Sequence, residues 1–300
     1  MELSGPIPFR SERPVMTEPR PIPRRASIPI LSYHQTDAVP PWGMPYRGLV
    51  LPPQRFARQM RALQALGYRG LSMRDLMPYL RGERTGKVVG ITLDDGYVNN
   101  FDHALPVLCA LGFTATSFVV SGQLGGSNVW DAAAGVPRAR LMNVHHLREW
   151  MDAGMEVGAH TRSHVDLPRC DPILARAEIT HSRDDLEQAL GVPVRSFCYP
   201  YGQYRDHHVE MARAAGFEAA TTSDSARARC PGDLLRLPRL TVWLSTPLPY
   251  LLARVCLDVE GWRRRRAPRQ AAVHPAQPVA RSAATGVQVA ERAAVGERLS

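Results

Sequence analysis

The chain has 300 residues, 44% hydrophobic and 22% charged, the balance of an ordinary globular protein with room for a sizeable core. Its net charge of +9 sits at the ends: residues 261–300 carry eight arginines against two glutamates, and residues 1–28 carry five against three. The nearly neutral middle excludes a basic nucleic-acid-binding domain. Five widely spaced cysteines without a CxxC pair signal neither a disulfide framework nor a thiolate zinc site.

Residues 1–27, rich in proline and arginine, read as an extended, disordered leader. They hold no apolar run of signal-peptide length, and no 18-residue apolar stretch occurs anywhere, so a cytoplasmic location without a membrane span is expected. The first strand is read at 28–33, ending at His34. After a proline-rich loop over 35–52, helical spacing runs from Phe56 to Leu66 and stops at Gly67. A short helix is predicted at 73–80, a strand at 88–93, a helix near 99–111 and a strand at 114–120. A long loop over 121–140 holds Trp130 and Asp131. Helix 144–153, strand 155–159, helix 172–190, strand 194–199, helix 205–215 and strands 217–222 and 237–242 follow. Residues 263–300 lack periodicity and read as a disordered basic tail, leaving 28–262 as the folded domain.

Strands alternating with helices imply parallel βα units, and their number suits a closed or nearly closed barrel. His34, Asp94, Asp95, His160, His164 and Tyr201 all fall just after strands, on the rim where βα barrels build their sites, and Arg239, within the last strand, is a further candidate.

Three stretches carry chemistry. In Val88–Tyr97 a buried strand runs into Asp94, Asp95 and Gly96. Strand alternation sends the two carboxylates in different directions, and a metal on one leaves the other free as a base; two solvated carboxylates at a tight turn are the plainer alternative. His160 and His164, four apart at a strand end, can converge on one ion, and an Asp carboxylate completes a facial N,N,O set with open positions. Tyr199-Pro200-Tyr201-Gly202 forms a tight turn able to aim a backbone N–H into a site, or simply packs the rim.

Together these stretches resemble the polysaccharide deacetylase family, carbohydrate esterase family 4, with its NodB-homology fold. Thr92–Gly96 matches its first motif with Leu93 in place of Phe. His160, Thr161 and His164 match the second, and Tyr199–Gly202 the third. Tyr33-His34 looks like the opening strand of the branch that deacetylates poly-N-acetylglucosamine, and Leu237-Pro238-Arg239 like its fourth motif. The resemblance covers about residues 28–243.

It implies a deformed (β/α)7 barrel and a metal-dependent hydrolase that removes N-acetyl groups from N-acetylhexosamine units of a polysaccharide or glycan precursor. Asp95, His160 and His164 would hold a divalent metal, usually zinc. Asp94 would be the general base toward metal-bound water, and the Tyr201 N–H, in its turn with Tyr199 and Pro200, would hold the oxyanion. Two departures stand out. Cys198 occupies a position where many members have an arginine that orients the base; Arg239 either substitutes for it or is an ordinary surface residue. No late-motif histidine follows within the expected domain, so His34 either protonates the leaving amine or is a rim histidine. Competing readings are an amide hydrolase on a non-sugar small molecule and a catalytically impaired carbohydrate-binding or assembly protein. The Arg263–Arg266 run reads as solvated, with weak contact to an anionic surface as the sharper option.

Overall fold

The structure, a computed structural model, describes residues 26–258. The expected basic tail and nearly all of the expected leader lie outside these residues. The described chain contains β1 (Ala26–Ile28), β2 (Ile30–Tyr33), β3 (Gln35–Thr36), β4 (Val50–Leu51), α1 (Pro53–Ala65), β5 (Arg69–Leu71), α2 (Met73–Leu80), β6 (Val88–Leu93), α3 (Leu105–Ala110) and β7 (Thr116–Val119). It continues with α4 (Val144–Asp152), β8 (Glu156–Ala159), α5 (Pro172–Leu190), β9 (Ser196–Cys198), α6 (Asp206–Ala214), β10 (Ala219–Ser225), β11 (Ala228–Cys230), β12 (Leu237–Thr241) and α7 (Leu248–Cys256).

Seven strands close a parallel barrel in the order β2, β6, β7, β8, β9, β10, β12, with β12 returning to β2. This is the (β/α)7 architecture that the family resemblance implies, and a closed form of the barrel that the alternating pattern suits. The ring is uneven. β2 and β6 pair over four residues, from Ile30 with Gly90 to Tyr33 with Leu93, whereas β8 and β9 pair only at Ala159 and Phe197. β5 lies outside the ring, paired to the first half of β6.

Period-two alternation decides which side chains enter the barrel. On β6, Val89, Ile91 and Leu93 join the large apolar layer beneath the helices, with Trp150, Leu186 and Phe197. Val88 turns inward to a second cluster with Ile30, Phe118 and Leu237, into which α2 brings Met73, Leu76 and Leu80. α2 thus plugs the amino end of the barrel. Ser72 caps this helix by accepting a bond from the Asp75 N–H. Buried Glu156 completes the plug, accepting from Thr116 Oγ1 at 2.6 Å, Ser196 Oγ at 2.6 Å and the Arg74 N–H at 2.7 Å. With that end closed, the carboxyl end is the open mouth.

Some elements differ from their sequence expectation. The helix expected near 99–111 divides into a π-turn (Asn100–Ala104) and α3; Pro106 has no N–H to continue an α ladder back into the turn. β5, β11 and α7 stand where the sequence suggested nothing regular. α7 begins with proline in its first turn, where a missing N–H costs nothing.

The barrel bore is tight enough that β8 needs a glycine. A Cβ on Gly158 would lie 2.5 Å from Phe118 Cδ1 and 3.0 Å from the Ser196 carbonyl oxygen. Gly158→Ala should therefore destabilise the fold by about 1–3 kcal/mol, read as a lower denaturant midpoint at unchanged m-value. An unchanged midpoint would show that the bore yields to a methyl group.

Candidate active site

The alternation that fills the bore also parts the two adjacent carboxylates. Asp94 continues the inward face of β6, after Thr92. There it meets Arg239, which β12 sends inward from the far side of β2. The guanidinium donates to both carboxylate oxygens, Nη1 to Oδ1 at 2.7 Å and Nη2 to Oδ2 at 2.8 Å. Its other donors go to Thr92 Oγ1 at 2.9 Å, the Thr222 carbonyl at 3.0 Å and Cys198 Sγ at 3.1 Å. Arg239 is 1% exposed, so it is no surface arginine. The small Cys198 side chain leaves the space that the guanidinium enters. Burial alone would raise the Asp94 carboxyl, but the Arg239 charge, aided by His34, holds it below the ordinary carboxylate value.

Asp95 turns the other way, in a left-handed backbone conformation (φ 71°). Its Oδ1 lies 3.5 Å from His160 Nε2 and 3.3 Å from His164 Nε2, and no hydrogen-bond partner satisfies that buried oxygen. The three ligand atoms of Asp95, His160 and His164 lie within 4.8 Å of one another, and all three residues are buried. Burial works against the Asp95 anion, yet the two facing imidazoles keep its carboxyl well below the usual range. His160 Nδ1 is 2.7 Å from the Cys198 carbonyl. Donation of that N–H leaves the Nε2 lone pair facing Asp95 and bridges the thin β8–β9 seam. An unsatisfied buried carboxylate oxygen facing two imidazole nitrogens is a donor set that a divalent cation fits. Asp94, His160 and Cys198 also form a close group, but Asp94 and Cys198 are already engaged by Arg239.

His34 follows β2 on the same inward face as Ser32. Its Nε2 is 3.9 Å from Asp94 Oδ2, and its ring is 23% exposed toward the mouth. Asn100, in the π-turn, fixes the local backbone by donating to the His34 carbonyl at 2.6 Å. Tyr201 is also left-handed (φ 56°) and sets its ring edge-on to His164, centroids 4.7 Å apart. Buried Pro200 opens this turn. Tyr199, grouped with the oxyanion residues in the sequence, sits elsewhere: its ring packs on Phe197 and Tyr204, and its hydroxyl donates to the Leu235 carbonyl at 3.1 Å.

The pocket above these groups is walled by Tyr46, Tyr97, Trp130, Asp131, Tyr201 and Trp243. Trp130 stacks on His164 at 4.7 Å between centroids. Sequence reading noted Trp130 and Asp131 only as loop residues. The available signal was their place in a loop too long for a plain connection.

The fold and the rim define a NodB-type (β/α)7 deacetylase barrel. Residues 81–220 match the family model described as polysaccharide deacetylase. The poly-β-1,6-N-acetyl-D-glucosamine N-deacetylase of Staphylococcus epidermidis is 23% identical over 199 residues, covering 63% of this chain and 66% of its own. The Streptococcus pyogenes deacetylase PplD, solved in complex with acetate, is 25% identical with a TM-score of 0.67, over 77% of this chain and 99% of its own. IcaB from Ammonifex degensii is 26% identical with a TM-score of 0.63, over 76% and 96%. Residues 81–220 thus carry a polysaccharide deacetylase match, and the fold together with the named deacetylase relatives supports a deacetylase hydrolase. No helix among the described residues is long and apolar enough to cross a membrane.

Asp131 offers a test of the pocket's electrostatics. Burial, reinforced by the Asp95 charge, pushes its carboxyl from 3.8 up to about 7. The folded protein thus binds this proton more tightly than the unfolded chain does. Between about pH 4 and pH 7 stability must fall as pH rises, and above that range the full cost of the buried anion applies. In chelator-treated protein, Asp131→Asn should match wild type near pH 4 and exceed its stability by roughly 1–3 kcal/mol at pH 8. Urea midpoints at the two pH values measure this, and identical pH dependence in both proteins would place Asp131 in water.

Proposed function

We propose that this protein is a metal-dependent N-deacetylase acting on N-acetylhexosamine units of a glycan, with the poly-β-1,6-N-acetylglucosamine class as its best candidate substrate. The substrate class rests on the named relative in Staphylococcus epidermidis. The observation that carries the chemistry is the partition of the adjacent carboxylates. Asp95 faces two imidazoles, while Asp94 faces a guanidinium.

Asp95, His160 and His164 would hold the metal, and an N,N,O set with open positions suits zinc. When bound, such an ion supplies polarisation of an amide carbonyl and a lowered pKa for water. The rest falls to the chain's own residues. Asp94, kept ionised by Arg239, accepts the proton of the attacking water. Arg239 grips both carboxylate oxygens and so fixes the direction from which Asp94 can take that proton. The Tyr201 turn, whose ring packs against His164, would offer its backbone N–H to the carbonyl oxygen as it gains charge. As the C–N bond breaks, His34 delivers a proton to the departing amine, and acetate and a free amine result. The base and acid atoms stand only 3.9 Å apart. Cys198 in the place of the motif arginine does not favour an impaired protein, because Arg239 supplies the guanidinium from another strand.

Paired substitutions test the partition. Asp95→Ala should lose metal and activity together. Asp94→Asn should keep the metal while turnover falls by about 10²–10⁴-fold, since an amide cannot accept the proton. Elemental analysis beside acetate release decides between them. Metal lost from Asp94→Asn and kept by Asp95→Ala would reverse the roles.

For His34, replacement by alanine should lower turnover by roughly 10²-fold with metal retained. The deficit should shrink on a substrate whose leaving amine needs no protonation, such as an activated anilide. Turnover like that of wild type would return His34 to a packing role.

A further inference from the structure

The turn that carries the two histidines is gripped from outside the barrel by a buried carboxylate that the deacetylation chemistry does not use. Glu178 lies on the core-facing side of α5, in line with Ala175, Ile179, Ser182 and Leu186, and is 7% exposed. Helical periodicity would fill that position with an apolar side chain. A charge there needs partners, and it has three. Glu178 Oε2 accepts from the Arg162 N–H at 2.9 Å and the Ser163 N–H at 2.8 Å, while Oε1 accepts from Ser163 Oγ at 2.5 Å.

The next N–H, that of His164, goes to Thr161 Oγ1 at 3.0 Å. On the other side, the exit of β7 takes the carbonyls: the Ser121 N–H donates to Thr161 at 3.2 Å and the Gly122 N–H to Arg162 at 2.8 Å. Asp185, two turns beyond Glu178 on α5, adds a tie by accepting from Arg162 Nε at 3.0 Å and Ser121 Oγ at 2.9 Å. Thr161 and His164, which flank the gripped pair, hold left-handed φ of 59° and 60°. Consecutive N–H groups beside left-handed residues make a cradle for an anion, and Glu178 is that anion.

Arg162 and Ser163 stand at the surface, where water would satisfy both N–H groups if the carboxylate were absent. Folding alone therefore does not require a buried anion here. What a fixed anion adds is shape. It holds the strained residues that set the direction of the two imidazoles, whose Nε2 atoms face Asp95 Oδ1 at 3.5 and 3.3 Å. We infer that Glu178 is a positioning residue for the metal set, keeping the 160–164 turn in the form in which His160 and His164 converge on one ion. This inference rests on the metal reading of Asp95, His160 and His164, and adds to it a support from a separate helix.

The test is zinc affinity of the full-length chain, stripped of metal and titrated against a chromophoric chelator. Methionine at 178 keeps the bulk and the helix propensity but not the strong acceptor. Glu178→Met should therefore weaken zinc binding about ten- to hundredfold, the scale for groups that support metal ligands. Its cobalt-substituted form should show a visible spectrum shifted from that of wild type. Glutamine still accepts from both N–H groups, so Glu178→Gln should bind zinc within about threefold of wild type. Ser72→Ala, which removes the α2 cap at the far end of the barrel, should lower the urea midpoint and leave zinc affinity unchanged. Ser163 is exposed, so Ser163→Ala keeps the fold and should weaken zinc about threefold. Zinc held by Glu178→Met as tightly as by wild type overturns the inference. So does a loss in Ser72→Ala or Glu178→Gln as large as that in Glu178→Met, or, should Glu178→Met not fold, unchanged affinity in Ser163→Ala. Wild type that binds zinc no better than Asp95→Ala fails the metal reading itself, and this inference with it, whatever the Glu178 variants do.

Discussion

The rim is organised around one buried ion pair. Asp94 and Arg239 lie 145 residues apart, the one just after β6 and the other on β12, two strands that both border β2. Both are nearly inaccessible to water, and removing either would strand a buried charge, a loss of about 3–5 kcal/mol in comparable cases. The fork of Arg239 also reaches Thr92, Thr222 and Cys198, so one side chain ties together strands β6, β9, β10 and β12 across the lumen. An apolar filling would close the bore at least as firmly. What the pair adds is a carboxylate that is ionised, oriented and kept away from its neighbour Asp95.

That division was partly legible in the sequence. An apolar strand ending in Asp94-Asp95-Gly96 dictates opposite directions for the two carboxylates, and two histidines four apart at another strand end suggest one shared partner for them. Both follow from local periodicity. The partner of Asp94 does not, because which residue reaches across a barrel depends on ring closure and on the space left at Cys198. Arg239 was nameable only as a further rim candidate and through its motif resemblance, with a surface role left open. Tyr199 failed the other way: a motif position suggested the pocket, but strand alternation sends its ring beside Phe197 and Tyr204 into the core.

Elements without a strong period were the least legible. β5 and β11 are three residues each, too short for alternation to show. Glu156 gave no signal as the barrel plug, since a glutamate at the start of a strand ordinarily reads as solvated. Its three hydrogen bonds come from Thr116, Ser196 and the first turn of α2, three separate parts of the chain. The division of labour between barrel ends was visible only in outline: candidate chemistry clustered at carboxyl ends, while the means of closing the amino end was not apparent.

Backbone strain marks the same division. Among the described residues, five non-glycine residues adopt positive φ: Tyr46, Asp95, Thr161, His164 and Tyr201. Four of them line the catalytic pocket. The fifth, Thr161, follows His160 and accepts from the His164 N–H at 3.0 Å, shaping the turn that brings the two imidazoles together. Each such conformation costs of order 1–2 kcal/mol for an L-residue. Glycine would relieve every one, but glycine has no carboxylate, imidazole or ring to present. The strain is retained where the direction of a side chain matters more than the comfort of its backbone. It is tolerable because the amino end, closed by α2 and Glu156, and the ring of ladders beneath hold the rim in place.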